Sequence, residues 1–368
     1  MKLEGFELRR VDMPLVAPFR TSFGTETRRD VLLVRAVVDG VDGWSECVAM
    51  SDPLYSSEYV AAAADVMKRY MIPTLASQQV VEGTGVAPAL APFRGHRMAK
   101  AALETAVLDA ELKTTGVSFA RELGAVQNRV ATGVSVGIMD SLDALLDTVG
   151  GYLAEGYQRI KLKIEPGWDV APVEAVRERF GNILLQVDAN AAYSLADAAQ
   201  LKKLDAFDLL LIEQPFDEED VRGHAELAKL TSTPVCLDES ITSARAAVDA
   251  IAMGACRIVN IKPGRVGGYL EARRIHDVCV AHGVPVWCGG MLETGIGRAA
   301  NLALAALPGF TLPGDTSASE RYYATDITAP FRLDDGHLAV PRGPGIGVTP
   351  KAEVLDEFTT ATEWIPAA

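Results

Sequence analysis

The chain has 368 residues, 49% of them apolar and 23% charged, enough for a barrel of roughly 200–250 residues and a further domain. A formal net charge of −14 excludes a basic face for nucleic acid or an anionic membrane and leaves a small molecule as the expected partner. Five scattered cysteines without CxxC spacing predict reduced thiols. A charged start with no apolar run behind it and no apolar stretch of about 18 residues predict a cytoplasmic protein without signal peptide or membrane span.

In chain order, Leu8–Val11, Val31–Val38 and Trp44–Cys47 alternate as strands. Two aromatic loops with turn residues accompany them, Val16–Gly24 and Met50–Tyr55, and helical periodicity follows at 57–71 and 98–112. From residue 130 the texture changes. Short β-branched runs, Val130–Val136, Arg159–Ile164, Ile183–Val187, Leu209–Glu213, Val235–Asp238, Ile258–Lys262, Val284–Cys288 and Thr311–Gly314, alternate with helical stretches such as Val170–Arg179 and Leu195–Lys203. This is the order of a (β/α)8-type, modified TIM barrel. The expected α/β architecture is an α+β capping domain (1–125), a catalytic barrel (126–320) and a Pro-rich segment (321–368) that packs back on the cap.

Five charges beat through the barrel at intervals of 25, 25, 25 and 24 residues: Lys163, Asp188, Glu213, Asp238 and Lys262. All stand at or beside predicted strand ends, the rim where barrel enzymes keep their chemistry. Acidic residues there also serve as helix caps, but three in register, each after an apolar run, read as hard oxygen ligands for Mg²⁺, with Mn²⁺ or another divalent cation as a substitute. Asn190, two residues past Asp188, is placed to hydrogen-bond the ligand set. Glu239 follows Asp238 and is expected on the opposite face. Lys161 and Lys163 share one strand face, and Lys262 lies across the barrel. Two opposed lysines and a divalent cation suit removal of a proton α to a carboxylate, where an enediolate must be held. Returning the proton to the other face gives racemisation; loss of a β-leaving group gives elimination. Ser135 also sits in a nucleophile-elbow pattern, but no paired histidine accompanies it.

These residues, with Gly95–Lys100, Arg159–Asp169, Gly289–Gly297 and Leu312–Ser317, resemble the enolase superfamily in its muconate-lactonizing-enzyme subgroup, and within it the o-succinylbenzoate synthase/N-succinylamino acid racemase family. The resemblance implies that Asp188, Glu213 and Asp238 bind Mg²⁺ and that Lys163 removes the α-proton and protonates a departing hydroxyl. It implies that Lys262 stabilises the enediolate or acts as the opposite acid/base, and that Lys161 assists. Phe19, Phe23, Met50 and Tyr55 would wall the barrel mouth. Ser135 and the Gly289–Met291 segment, Gly290 and Met291 included, would meet a succinyl arm. Arg265, three residues past Lys262, is placed either to tune that lysine or to serve on the surface. The first expectation is Mg-dependent dehydration of 2-succinyl-6-hydroxy-2,4-cyclohexadiene-1-carboxylate in menaquinone biosynthesis. N-succinylamino acid racemisation is the second, and both can coexist in one homo-oligomeric enzyme. A cycloisomerase and a catalytically silent binding protein are the remaining alternatives.

Overall fold

Alternating apolar residues at the start of the chain build a meander of three antiparallel strands, β1 (Leu3–Thr21), β2 (Gly24–Val38) and β3 (Val41–Cys47). The computed structural model describes residues 1–78 and 81–367. The expected strand Leu8–Val11 is the middle of a much longer β1. The expected loop Val16–Gly24 is the far arm of the β1–β2 hairpin, turning only at Ser22–Phe23. Its register is irregular between Pro14 and Phe19, where two prolines offer no N–H to the ladder.

Both faces of this sheet are covered. Val11, Met13, Val31, Leu33 and Trp44 join the core that continues into the barrel. Phe6, Leu32, Val34 and Ala36 join a second core under the helices, with Met67 and Leu103. The Ala-rich helix Arg97–Thr115 lies against β3 so closely that a Cβ at Gly43 would collide with the Ala106 carbonyl.

After β4 (Arg129–Ala131), seven parallel strands follow: β5 (Gly133–Val136), β6 (Arg159–Lys163), β7 (Leu184–Asp188), β8 (Ile212–Glu213), β9 (Val235–Leu237), β10 (Ile258–Ile261) and β11 (Val286–Cys288). They pair strictly in chain order. The expected eighth strand, Thr311–Gly314, forms no ladder of its own, and Pro313 within it has no N–H to give. The segment instead closes the ring by single bridges, Phe310 to Val286 and Gly314 to Thr132. Gly133 N donates to Gly314 O at 2.8 Å and Asp315 N to Cys288 O at 2.9 Å. Helices between strands start on side-chain caps, Ser141, Asp169, Asp220 and Ser243. The helix expected at Leu195–Lys203 is a chain of short 3₁₀ and α turns through Phe207.

In the tail, β12 (His337–Ala339) pairs with β4, and β13 (Thr359–Pro366) pairs with β1, from Gly5 opposite Pro366 to Val11 opposite Thr359. The capping sheet thus runs β13-β1-β2-β3. Among the described residues all five cysteines are buried and free, and no helix is long and apolar enough to cross a membrane.

Candidate active site

Parallel pairing without register slips carries the sequence interval into space. Lys163 at the end of β6 pairs with Asp188 at the end of β7, and Asp188 pairs with Glu213 at the end of β8. Asp238 and Lys262 are the first residues past β9 and β10. The three carboxylates are fully buried, and Lys161, Lys163 and Lys262 nearly so. Lys163 Nζ donates to Asp188 Oδ2 at 2.7 Å and to Asn190 Oδ1 at 2.6 Å. Lys161 Nζ lies 3.1 Å from Asp188, 3.0 Å from Glu213 and 2.5 Å from Asp315. Lys262 Nζ lies 2.8 Å from Asp238 Oδ2 and donates to Tyr55 Oη at 2.9 Å. Arg265 donates to the other oxygen of Asp238, so it meets Lys262 through that shared carboxylate.

The strand-end loops hold this set by unusual backbone. Asn190, Ala191 and Gln214 adopt positive φ of 42°, 62° and 36°. The turn lets Asn190 N donate to Asp188 Oδ1 at 3.0 Å and lets Gln214 Oε1 accept from Asp238 N at 3.0 Å. At the end of β11, a Cβ on Gly289 would collide with the Asn260 amide and crowd Lys262 Cε, so glycine there keeps room for the lysine.

Charge is unevenly distributed across the mouth. Burial pushes the Lys163 pKa down, and the ammonium groups of Lys161 and Lys262 add to that against Asp188. Burial also opposes charge on Lys262 and Lys161, yet both are held above the ordinary lysine value. Tyr55, Glu239 and Glu213 do this for Lys262, and Asp315, Glu213 and Asp188 for Lys161. Of the two candidate bases Lys163 alone is lowered, because Lys262 faces more carboxylates, Asp238 among them. Asp188 stays ionised well below the carboxylate range despite burial, owing to Lys163 and Lys161. Glu213 is raised by burial and by Asp188.

A cleft of about 570 Å³ between cap and barrel is lined by Phe19, Phe23, Met50, Tyr55, Ser135, Lys161, Lys163, Asn190, Lys262, Gly290 and Met291. Asp188, Glu213 and Asp238 lie beneath that lining, and Arg265 lies behind Asp238. Ser135 Oγ is buried without a partner. Glu239 departs from its expected position: it accepts from Asn190 Nδ2 at 3.0 Å, and burial pushes its pKa to about 7. β9 ends at Leu237, so strand alternation no longer directs it. Sequence reading also missed Asn260, which donates to Glu213 at 2.6 Å, and Asp315, which bridges Lys161 and Arg159. Asn260 stands two residues before Lys262 on β10, the same spacing that paired Lys161 with Lys163. Arg29, Leu292 and Tyr322 line the cleft with no comparable signal.

Three buried carboxylates on neighbouring strand ends are the hard-oxygen donor set of a small divalent cation. Glu213 and Asp188 crowd each other's charge, an arrangement that a cation relieves. In the arrangement here each carboxylate is turned onto an ammonium or guanidinium group, and among the described residues no three acidic, His or Cys side chains converge as a ready cluster. The donor chemistry fits; the lysines must swing aside for the oxygens to converge.

The comparisons with known proteins follow the same layout. Residues 6–124 match the mandelate racemase / muconate lactonizing enzyme N-terminal domain, and residues 144–354 match the enolase C-terminal domain-like family. An N-succinylamino acid racemase of an Amycolatopsis species is 69% identical over 99% of this chain and 100% of its own length. The o-succinylbenzoate synthase of Bacillus subtilis (strain 168) is 45% identical over 98% of this chain and 97% of its own. A crystal structure of an enolase superfamily member from Listeria innocua superposes with a TM-score of 0.96 at 40% identity, each chain covered completely. A strand-ordered barrel with its charges on the carboxyl rim, capped by an antiparallel sheet, thus coincides with sequence kinship along nearly the whole length, and the chain belongs to the mandelate racemase / muconate lactonizing enzyme family of the enolase superfamily.

Proposed function

We propose that the enzyme abstracts the α-proton of a succinyl-bearing carboxylate and uses the resulting enediolate in two ways. One is racemisation of N-succinylamino acids; the other is syn-dehydration of 2-succinyl-6-hydroxy-2,4-cyclohexadiene-1-carboxylate to 2-succinylbenzoate, a step of menaquinone biosynthesis. The observation that carries this is the placement of Lys163 and Lys262 at the ends of β6 and β10, four positions apart in a ring of eight, above one buried trio of carboxylates. Two ammonium/amine groups on opposite sides of one cleft can address both faces of a single carbon. The Amycolatopsis relative's name favours racemisation as a main role, and the synthase names of relatives near 45% favour dehydration.

Asp188, Glu213 and Asp238 would hold Mg²⁺, for which Mn²⁺ can substitute, and the ion when bound supplies positive charge against the enediolate oxygens. Lys163, lowered by burial, takes the α-proton and in dehydration returns a proton to the departing hydroxyl on the same face. Lys262, kept protonated by its anionic neighbours, stabilises the enediolate and in racemisation protonates the opposite face. Lys161, tied to three carboxylates, is a fixed positive charge beside them. Asn190 orients Lys163, and Arg265 holds Asp238. Phe19, Phe23, Met50 and Met291 exclude water, while Ser135 Oγ and the open backbone at Gly290 are free to meet the acyl arm. We further place the enzyme in the cytoplasm as a homo-oligomer, with the five unpaired thiols supporting a reducing compartment.

The test follows two signals with purified protein and Mg²⁺: loss of cyclohexadiene ultraviolet absorbance, and decay of optical rotation of N-succinyl-L-methionine. Both should respond to enzyme and disappear with a chelator. Rotation decay alone assigns the racemase; absorbance loss alone assigns the synthase. Inertness of folded, metal-supplemented protein in both assays overturns the reading.

A further inference from the structure

Among the described residues four arginines are buried: Arg29, Arg159, Arg265 and Arg298. Three have a carboxylate to answer their charge. Arg159 meets Asp315 at 2.9 Å, Arg298 meets Glu293 at 3.5 Å, and Arg265 is bound to Asp238. Arg29, 1% exposed, has none within 4.0 Å. Its bonds are two long ones from Nη2, to the carbonyls of Val48 and Ala49, each at 3.4 Å, and its Nε is buried with no partner. A guanidinium does not deprotonate in a protein, so this is a permanent buried cation without a counter-ion. Such a charge is costly to bury unless an anion completes it.

Its position says where that anion would come from. Arg29 lies on β2, opposite Met13 of β1, and its side chain lines the cap wall of the same cleft whose floor carries the lysines. Two other carboxylates sense it without pairing. Glu46 is committed to Thr294 and Gly297, and Glu26, on the cleft wall, is pushed toward neutrality by burial. The cleft therefore offers one cationic cluster at the barrel and one unanswered cation at the cap, with apolar side chains such as Phe19, Met50 and Met291 also lining it. A ligand with two carboxylates joined by a short apolar arm matches that pattern, and a ligand with one does not.

We infer that Arg29 receives the distal carboxylate of the substrate's acyl arm, so that it sets the preference for N-succinyl over uncharged N-acyl groups. This rests on the proposed function and adds the residue that would read the succinyl group. A planar guanidinium with free N–H groups suits a bidentate carboxylate contact.

The experiment has a binding arm and a turnover arm. Calorimetric titration with N-succinylglycine and with N-butyrylglycine, its near-isostere lacking the acid, should show tighter binding of the succinyl compound to wild type by roughly ten- to a hundredfold, the span of a charge-assisted hydrogen bond. Arg29→Met should bring that ratio near one, and Arg29→Lys should keep part of it. In turnover, kcat/KM for N-succinyl-L-methionine relative to its succinyl methyl ester should collapse in Arg29→Met through KM rather than kcat. Equal binding of the two glycines by wild type overturns the inference, even if neither variant folds. An unchanged ratio in folded Arg29→Met overturns it as well, as does equal loss for both ligands. If wild type binds with the expected preference but turns over neither substrate nor the cyclohexadiene, the proposed reactions fail while the assignment of Arg29 stands.

Discussion

At the barrel mouth the three candidate ligand carboxylates and Asp315 each have an answering charge, whereas in the cap Arg29 and Glu46 lack one. Asp188, Glu213, Asp238 and Asp315 are each within ion-pair distance of a lysine or arginine from the barrel itself. On the cap, Arg29 has no carboxylate, and Glu46 is surrounded by Thr294, Gly297 and the like-charged Glu293. The difference separates two kinds of preparation. A self-compensated cluster is rigid and ready to exchange partners, as a metal and a carboxylate substrate require. An uncompensated group is either waiting for a ligand, as at Arg29, or pushed out of its charged state, as at Glu46.

The largest effects should come from breaking the barrel's self-compensation. Lys163→Ala should lower both racemisation and dehydration by on the order of 10²–10⁴, the usual range for a general base. Lys262→Ala should remove racemisation as completely. The two variants should then separate in deuterium oxide, each keeping α-proton exchange on only one enantiomer of N-succinylmethionine, and proton NMR reads this directly. Exchange of the same enantiomer by both variants would break the two-face reading. Chelation should abolish turnover, and Mg²⁺ or Mn²⁺ should restore it.

The next effect is on stability and belongs to the cap. Burial, with Glu293 beside it, pushes the Glu46 pKa up to about 8 from an ordinary value near 4.5. A raised folded-state pKa means the native protein keeps a proton that the unfolded chain releases. The stabilisation is fully present below about pH 4.5 and drains away as pH rises to about 8. The whole loss is on the order of 4 kcal/mol. Glu46→Gln keeps an acceptor for Thr294 and cannot ionise. Denaturant unfolding should show the variant more stable than wild type at pH 8, with the gap closing toward pH 5. A gap that does not change with pH would mean Glu46 is ionised at both, and the contrast between cap and barrel would disappear.

That contrast also tracks what the sequence let one read. The barrel repeats one unit, so Lys163, Asp188, Glu213, Asp238 and Lys262 return at a fixed interval, and in-register parallel pairing places them on one rim. The same logic reaches Asn260 through its two-residue spacing from Lys262. It stops at Asp315, since Leu312-Pro313 breaks the strand pattern, and at Glu239, which lies beyond the last paired residue of β9. In the cap, residues 31–34 are all buried because helices and barrel cover both faces of the sheet. A period of two then carries no information about which face Arg29 joins. The long β1–β2 hairpin arm was obscured for a related reason: its prolines and Gly24 are turn residues by type but sit within or beside a strand.

The smallest predicted effect lies where cap and barrel touch, at Tyr55. Its hydroxyl accepts from Lys262 Nζ at 2.9 Å, and the same ammonium stands 4.7 Å from the centre of its ring. Tyr55→Phe removes this bond and the longer one the hydroxyl donates to Asp238 Oδ2 at 3.5 Å and leaves the ring, so its cost is mainly that of one hydrogen bond in a setting where Asp238 still holds the lysine at 2.8 Å. About 0.5–1.5 kcal/mol, or roughly a two- to thirteenfold fall in racemisation, is expected. Tyr55→Leu also removes the cation–π contact and should cost a further 0.5–2 kcal/mol or so. Lys163 has no bond to Tyr55, so the fall should be larger for the direction of racemisation in which Lys262 removes the proton. Comparing kcat/KM for the D and L substrates in the two variants measures that asymmetry. If both variants slow the two directions equally, Tyr55 acts by shaping the cleft as a whole, and Lys262 owes its charge to the barrel alone.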